Sequence, residues 1–223
     1  MPLDPRSHFP VMCLTQDGLG MAHAEQAARL CAAGARWIQL RMKGATRDAW
    51  VAEAAEAARA CRRHGAVLIV NDSVDVALAS GADGAHLGGL DADWRGARLR
   101  LGPDRILGGT VGSRGDALRA VASGCLDYAG VGPLRFTTTK RNLSPVLGLD
   151  GVRALIAQLR GIPAWVIGGV APEDLPALRD AGAAGAAVSS RLHAGGRIEE
   201  NLRAFLDAWS LPAELAPDPV PHP

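Results

Sequence analysis

The sequence predicts a single closed (β/α)8 barrel, and two patterns favour this fold. Short apolar runs alternate with amphipathic stretches about eight times along the chain, as parallel strands alternate with helices. A motif of small residues also recurs at 32–35, 79–82, 122–125 and 180–183, each time where a helix ends before an even-numbered strand. Two strand–helix units taken four times are what a closed eight-stranded barrel would show.

The alternative architecture is an open, doubly wound sheet. In that fold a glycine-rich G-x-G-x-x-G turn commonly opens the first helix, and this chain has no such turn there. Its Gly168–Gly169 pair instead follows the seventh strand. We therefore favour the barrel.

Each predicted strand is a short apolar run bounded by glycine, proline or polar residues. Ala66–Val70 is aliphatic throughout, which is typical of a parallel strand buried on both faces. The eight predicted strands are Pro10–Thr15, Trp37–Arg41, Ala66–Val70, Gly84–Leu87, Arg105–Gly108, Tyr128–Val131, Ala164–Ile167 and Gly185–Val188.

Helices are predicted between the strands from apolar residues at helical spacing and from capping residues. Thr46 and Ser73 are suitable N-caps, and Gly34 is a suitable C-cap. The predicted helices are Met21–Ala33, 46–65, 73–81, Asp91–Leu101, Ser113–Ser123, Asp150–Arg160, Pro172–Ala181 and Ile198–Trp209. Prolines from Pro212 onward predict an irregular tail, so we expect a barrel domain over residues 1–210 and a tail over 211–223.

Composition narrows the class of protein. An apolar content of 48% allows a sizeable core, and a net charge of +1 gives no general attraction to nucleic acid or acidic membranes. Four widely spaced cysteines without a C-x-x-C motif indicate core residues in a reducing compartment. No run is long enough to span a membrane, and the first residues lack the apolar core of a signal peptide. We therefore expect a soluble cytoplasmic protein.

The residues between the sixth strand and the next helix, 132–149, form a long polar loop of the kind that often binds ligands. Thr137, Thr138 and Thr139 precede Lys140 in this loop. Of the 24 Lys and Arg residues only Lys43 and Lys140 are lysines. Because a compact, rotatable ammonium suits a phosphate group, both lysines are candidate anion ligands.

Polar residues also follow the predicted strands, where a (β/α)8 barrel carries its functional groups. Gln39, Arg41 and Lys43 share one parity of the second strand, so they point together towards the barrel axis and its mouth. Two neighbouring cations with no acidic partner indicate a bound anion. A polar layer that plugs the barrel is the structural alternative.

Two carboxylates follow adjacent strands and are expected to converge near the lysines. Asn71 and Asp72 come after the third strand, and Asp91 lies just past the fourth. Carboxylate oxygens suit Mg2+, which takes one or two carboxylates and completes its shell with phosphate and water. The alternative is a pair of helix N-caps, particularly at Asp91.

A second anion site is expected after strands seven and eight. Gly168–Gly169 would let backbone N–H groups approach a ligand, and Ser189–Ser190 ends the eighth strand. Nothing resembles a Ser-His-Asp or Cys-His arrangement, and His86 is interpreted as structural. The residues thus predict one site for a diphosphate and one for a monophosphate. Catalysis would rest on holding two substrates together and stabilising a departing diphosphate.

Five segments in order resemble thiamine phosphate synthase, over about residues 11–192. They are 39–43, 70–72, 84–91, 131–140 and 167–170. The resemblance implies a barrel that joins a hydroxymethylpyrimidine diphosphate to a thiazole phosphate, with Mg2+ as cofactor. Its products would be thiamine phosphate and diphosphate. The reaction it implies is dissociative, since diphosphate leaves before the thiazole nitrogen attacks.

The resemblance also implies a role for each matching residue. The pyrimidine diphosphate would contact Gln39, Arg41, Lys43, Asn71, Thr110 and Lys140, of which Arg41, Lys43, Thr110 and Lys140 would be catalytic. The thiazole phosphate would contact Thr137, Thr138, Thr139, Gly168, Gly169, Ser189 and Ser190. Asp72 and Asp91 would hold Mg2+. The expected partners are phosphorylated small molecules, not nucleic acid or a membrane. A homo-oligomer is possible.

Three positions depart from the family pattern. The family usually has Glu where Met42 stands, Gln where Gly89 stands and Pro where Thr138 stands. In addition, the pair Arg135-Phe136 replaces a more apolar pair. These changes concern the pyrimidine pocket and leave the expected metal and diphosphate ligands in place.

Two other functions were weighed against the synthase. A TenI-like thiazole tautomerase shares the barrel but has a histidine where Pro133 stands, and it lacks the Thr-x-Thr-Lys ending. Both differences favour the synthase. A non-catalytic barrel that binds thiamine precursors is the third hypothesis, and the presence of Asp72, Asp91 and both lysines argues against it.

Overall fold

A computed structural model of the chain describes residues 9–88, 93–136 and 145–210. Eight parallel strands pair in sequence order and the last pairs with the first, so the sheet is a closed barrel. The strands are β1 (Val11–Leu14), β2 (Trp37–Leu40), β3 (Val67–Asn71), β4 (Gly84–Leu87), β5 (Ile106–Val111), β6 (Tyr128–Val131), β7 (Ala164–Ile167) and β8 (Gly185–Val188). The predicted (β/α)8 barrel is confirmed.

Helices follow the strands and cover the outside of the barrel. They are α1 (His23–Ala32), α2 (Arg47–Arg63), α3 (Val74–Ser80), α4 (Trp94–Leu101), α5 (Arg114–Ser123), α6 (Gly148–Gln158), α7 (Leu175–Asp180), α8 (Ser190–His193) and α9 (Ile198–Ser210). The side chains of Thr46 and Ser73 accept hydrogen bonds from the backbone N–H groups of Ala49 and Val76, as N-caps do.

Some boundaries differ from the sequence prediction for local reasons. The predicted helix 172–181 divides into a 3₁₀ turn, Pro172–Asp174, and α7. Pro176 has no N–H for an α-helical bond to residue 172, which favours a break at this point. The helix predicted from Asp91 is described from Trp94, where Asp93 caps it by accepting a hydrogen bond from Gly96. The short helix α8 was not predicted. The predicted tail, 211–223, lies outside the described residues.

Alternation along the strands produces two apolar layers. Inward-facing residues such as Met12, Trp37, Ile69 and Trp165 fill the barrel interior. Their sequence neighbours of opposite parity, such as Leu68, pack with the helices in a larger outer core. Both faces of the strands are therefore apolar near the base, and polar residues begin where the strands end.

Two smaller findings concern expectations from composition. None of the described helices has the length and apolar character needed to cross a membrane. The four cysteines are unbridged, and Cys13, Cys31 and Cys61 are buried, as expected of core residues.

Candidate active site

A cavity opens at the carboxyl ends of the strands, where the predicted functional groups were expected to meet. Ten of the predicted site residues that the structure describes line this one cavity: Gln39, Arg41, Lys43, Asn71, Asp72, Thr110, Gly168, Gly169, Ser189 and Ser190. Their sequence separation of up to 151 positions is closed by the barrel, since adjacent strand ends lie side by side.

The three polar residues of the β2 end climb from the barrel interior to its mouth. Gln39 is buried and its amide lies 3.4 Å from the sulfur of Met12, Arg41 is half-buried, and Lys43 is exposed. All three line the cavity. Leu40 belongs to the outer core and Met42 packs against it, as the strand alternation predicts.

The loop after β1 holds the end of β2 in place. The hydroxyl of Thr15 accepts a hydrogen bond of 3.0 Å from the backbone N–H of Arg41, and His23 lies 2.7 Å from the same hydroxyl. The carboxylate of Asp17 accepts a longer bond of 3.3 Å from the backbone N–H of Lys43. The backbone that carries the two cations is therefore held by the loop after β1.

The wall formed by β4, β5 and β6 carries a buried hydrogen-bonded chain. Nδ1 of His86 lies 3.0 Å from the hydroxyl of Tyr128, and Nε2 lies 3.0 Å from the hydroxyl of Thr110. Burial raises the pKa of Tyr128 well above its ordinary range, and a hydrogen bond with Gln39 partly opposes that shift. The phenol therefore stays protonated, and the chain fixes the Thr110 hydroxyl on the cavity wall.

Aromatic rings form the floor of the cavity. Trp37 and Trp165 stack with ring centroids 5.3 Å apart, and Tyr128 meets both edge-on. Room for these rings comes from glycine: a Cβ added at Gly108 would lie 2.1 Å from Tyr128 Cζ. All three residues are buried, so their rings fill the barrel interior next to the cavity.

The ends of β7 and β8 form the part of the lining between β6 and β1. Gly168 and Gly169 have φ of 98° and 68°, a backbone conformation that favours glycine. Ser189 donates a long hydrogen bond of 3.4 Å to the side-chain oxygen of Gln16, and Ser190 is exposed. Arg191 follows them and also lines the cavity.

The charge of the described lining is positive. The lining contains three cations, Arg41, Lys43 and Arg191, and one carboxylate, Asp72. Neither Lys43 nor Arg191 forms an ion pair with any acid in the part of the chain that the structure describes. A cavity with this balance suits anionic ligands.

The backbone of Asp72 has an uncommon conformation. Its φ is +61°, which residues other than glycine rarely adopt. The backbone N–H of Asp72 donates a hydrogen bond of 2.8 Å to the carbonyl of His86. The side chain of Asn71 donates to one carboxylate oxygen at 2.7 Å. Strain of this kind persists where the surroundings hold it, commonly at functional sites.

Asp72 supplies the one carboxylate of the described cavity lining, an oxygen ligand of the kind that a divalent cation takes. No group of three or more His, Cys, Asp or Glu side chains capable of holding a metal occurs within the described ranges. One carboxylate completed by substrate oxygens and water is the arrangement typical of Mg2+.

Five predicted site residues cannot be placed. Asp91, Thr137, Thr138, Thr139 and Lys140 lie outside the described residues. Their expected roles stay predictions, as do those of the ten residues that line the cavity.

The structure adds lining residues that sequence reasoning did not select. His86 was set aside as structural, although its position at the end of β4 was a signal. Arg191 was missed, although it directly follows Ser189–Ser190. Tyr128 and Trp165 had no sequence signal beyond their apolar surroundings, because only barrel closure brings them to the cavity.

The closed barrel and a cationic cavity at its carboxyl mouth define a (β/α)8-barrel enzyme suited to anionic substrates. Comparison with known proteins identifies the family within this class. Residues 10–192 match the family model described as thiamine monophosphate synthase. The chain is 40% identical over 195 residues to the thiamine-phosphate synthase of Bacteroides fragilis, covering 85% of this chain and 95% of that one.

Further relatives agree. A thiamine-phosphate synthase of Salinispora arenicola is 43% identical over 148 residues, covering 66% of this chain and 70% of the relative. Among solved structures, thiamine phosphate pyrophosphorylase from Pyrococcus furiosus superposes with a TM-score of 0.82 at 28% identity, covering 92% of this chain and 97% of that one. The chain therefore belongs to the thiamine monophosphate synthase family and is an enzyme of the transferase class.

Proposed function

We propose that the enzyme joins 4-amino-2-methyl-5-hydroxymethylpyrimidine diphosphate to thiazole phosphate, giving thiamine phosphate and diphosphate. The observation that carries this proposal is the convergence on one cavity of two sets of groups suited to anions. Arg41 and Lys43 stand on one wall, and Gly168–Gly169 with Ser189–Ser190 stand on the other. Two phosphorylated small molecules can thus be held with their reacting ends between the walls.

The diphosphate belongs with the β2 wall. Arg41 offers a planar set of donors and Lys43 a compact ammonium, and both suit phosphate oxygens. Thr110, which His86 fixes on the wall formed by β4, β5 and β6, is proposed as a neutral donor to the same diphosphate. Lys140 is proposed to join them, although it lies outside the described residues. These groups stabilise the charge that builds on the diphosphate as it leaves.

The proposed reaction is dissociative. The bond between the pyrimidine methylene carbon and the diphosphate oxygen breaks, and its electron pair leaves with the oxygen. The lone pair of the thiazole ring nitrogen then forms the new carbon–nitrogen bond, so no proton transfer is needed. This scheme agrees with the lining, since no described lining residue is a cysteine and both ring nitrogens of His86 are engaged.

Mg2+ is the proposed cofactor. Asp72 would hold it, with Asp91 as the second proposed ligand, and the ion would neutralise charge on the diphosphate. Asn71 orients the Asp72 carboxylate through the hydrogen bond between their side chains. A cytoplasmic location is proposed with the same function.

Among the departures from the family pattern, Met42 can be assessed in the structure. Its side chain packs against the outer core and Met42 is absent from the described lining of the cavity. The substitution therefore leaves the described cavity wall unchanged. Gly89 and Thr138 lie outside the described residues.

The test is to mix purified protein with Mg2+ and both substrates and to measure diphosphate and thiamine phosphate together. We expect equal amounts of both products, with diphosphate release dependent on the thiazole phosphate. Isomerisation of a thiazole carboxylate phosphate without diphosphate release would instead identify a tautomerase. Tight binding of the precursors without any turnover would identify a non-catalytic barrel.

A further inference from the structure

The loop after β6 begins with a segment that is attached to the turn after β7. The backbone N–H of Leu134 donates to the carbonyl of Ile167 at 2.9 Å, and that of Arg135 donates to Gly168 at 3.0 Å. The guanidinium of Arg135 continues the series and donates to the carbonyl of Gly169 at 3.3 Å. The carbonyls of residues 167–169, at the end of β7 and in the turn 168–170, thus all accept hydrogen bonds from the β6 loop.

Arg135 is itself fixed by an acid beyond the turn. Its Nη1 and Nη2 donate to the two carboxylate oxygens of Asp174 at 2.5 and 2.6 Å, a paired geometry that gives strong and directional hydrogen bonds. The same carboxylate accepts a bond of 2.8 Å from the N–H of Ala171. The side chain of Asp174 is only 11% exposed, whereas that of Arg135 is 38% exposed, so water screens the pair in part. Arg135 and Asp174 therefore hold the turn at residues 169 and 171.

The turn is also packed closely against the start of the β6 loop. A Cβ added at Gly168 would lie 2.6 Å from Cβ of Pro133, and one added at Gly169 would lie 3.2 Å from Cβ of Arg135. The turn cannot move towards this segment without a clash. The hydrogen bonds of Arg135 to the Gly169 carbonyl and to Asp174 also hold the turn.

Two backbone N–H groups of the turn have no acceptor among the residues that the structure describes. Within the described ranges, the backbone N–H groups of Gly169 and Val170 donate no hydrogen bond, although both residues line the cavity. Consecutive backbone N–H groups beside glycine form sites suited to anions. Arg135 is not among the described lining residues, so it acts on the cavity through the turn rather than by touching a ligand there.

We propose that Arg135 is a positioning residue for the monophosphate site, holding the 168–170 turn so that its N–H groups meet a phosphate monoester. The inference rests on the proposed function, because it assigns this wall to the thiazole phosphate. The Arg135-Phe136 pair was expected at the pyrimidine pocket, whereas the bonds of Arg135 attach it to the turn after β7.

The kinetic test uses Arg135→Ala in the full chain. We expect KM for the thiazole phosphate to rise roughly tenfold, the scale of one hydrogen bond to a charged group. The value of kcat at saturation and KM for the pyrimidine diphosphate should stay within about twofold, because only the monophosphate wall is altered. Arg135→Lys keeps the charge but loses the paired geometry. Its KM for the thiazole phosphate should lie between those of the wild type and Arg135→Ala.

The matched control is Arg100→Ala. It also removes an Arg–Asp pair, with Asp75, but that pair is exposed and neither residue lines the cavity. Both KM values should equal those of the wild type. A merely structural loss would lower the free energy of unfolding without separating the two KM values.

A binding measurement keeps this inference distinct from the proposed function. Inorganic phosphate is titrated by calorimetry into protein saturated with inorganic diphosphate and Mg2+. We expect phosphate to bind the Arg135→Ala and Asp174→Asn variants roughly tenfold more weakly than the wild type, the scale of one hydrogen bond to a charged group. If the wild type released no diphosphate in the assay above, the proposed function would fail, yet this phosphate result would still support the positioning role. Unchanged phosphate affinity in both variants, or an equal rise of both KM values, would overturn it. If Arg135→Ala fails to fold, Asp174→Asn decides by the same readouts.

Discussion

The Nε2 atom of His86 lies 3.0 Å from the hydroxyl oxygen of Thr110, while the other ring nitrogen is 3.0 Å from the hydroxyl of Tyr128. The imidazole is therefore held between two hydroxyls, one in the barrel interior and one on the cavity wall. His86 orients Thr110 at the proposed diphosphate site, and the buried phenol fixes His86. A residue set aside on sequence grounds thus links the barrel interior to the site.

Replacing His86 tests this link. His86→Ala removes the shared partner of Tyr128 and Thr110, and the Tyr128 residue is fully buried. Leaving a buried hydroxyl short of a hydrogen bond costs about 1–3 kcal/mol, so denaturant unfolding should show a loss of that size. Adding Tyr128→Phe should recover part of it. A loss below about 0.5 kcal/mol, the range of ordinary surface substitutions, would show that the chain contributes nothing to stability.

Lys43→Ala should lower kcat by roughly 10²–10³, the scale for losing one preorganised donor to developing charge. The matched control is Arg47→Ala, since Arg47 is an exposed cation on the adjoining helix α2 that does not line the cavity. Steady-state kinetics of diphosphate release provide the measurement. A kcat within about twofold of the wild type would remove Lys43 from the proposed leaving-group site.

Asp72 supplies a prediction with a built-in conformational control. Asp72→Asn keeps a residue type that tolerates a positive φ but loses the charge, whereas Asp72→Gly relieves the φ of +61° and loses the side chain. Both should raise the Mg2+ concentration for half-maximal activity at least about tenfold, if loss of a ligand matters at least as much as loss of an outer partner. Unchanged Mg2+ titrations in both variants would exclude Asp72 as a ligand.

Gly108 tests the aromatic floor. A methyl group there would lie 2.1 Å from Cζ of Tyr128, so Gly108→Ala should destabilise the protein by about 1–3 kcal/mol through overpacking. Gly115→Ala is the control, because the nearest atom to its added Cβ is 3.7 Å away and the residue lies in helix α5. That variant should be as stable as the wild type or slightly more stable, by up to about 1 kcal/mol. Equal thermal and denaturant midpoints for the two variants would contradict the packing.

His193 predicts how stability depends on pH. Burial lowers its pKa, the charges of His23 and Arg29 lower it further, and the hydrogen bond to the Leu14 carbonyl opposes them. Because the folded pKa lies below the unfolded value of about 6.5, the stabilisation is present above that pH and is lost as the pH falls through the folded pKa.

His193→Gln keeps a side-chain donor for Leu14 without the titration. We expect the unfolding free energy of the wild type to fall more steeply than that of the variant as the pH is lowered below about 6.5. Denaturant unfolding across the range provides the curves. Parallel curves would show that His193 does not titrate in folding.

Much of the fold was predictable because its signals are local. Alternating apolar runs and capping residues such as Thr46 and Ser73 depend on a few neighbours, and the observed elements follow them closely. The parity of Gln39, Arg41 and Lys43 was also sufficient to predict their shared side. Barrel closure then follows from the number of repeated units.

The remaining features depend on contacts that sequence separation hides. The hydrogen bonds of His86 reach 24 and 42 residues along the chain, and the pair between Arg135 and Asp174 spans 39. No periodicity predicts which partner a polar side chain meets across a closed sheet. Glycines such as Gly108 are similar: the need for a missing side chain becomes visible only once Tyr128 is placed beside it.

The proposed function requires that two anion sites occupy one cavity and are filled together. Its most direct test is calorimetric titration of thiazole phosphate into protein saturated with inorganic diphosphate and Mg2+. The proposed arrangement predicts that one thiazole phosphate binds per chain while the diphosphate stays bound. Displacement of the diphosphate by the incoming thiazole phosphate would show a single shared site and contradict it.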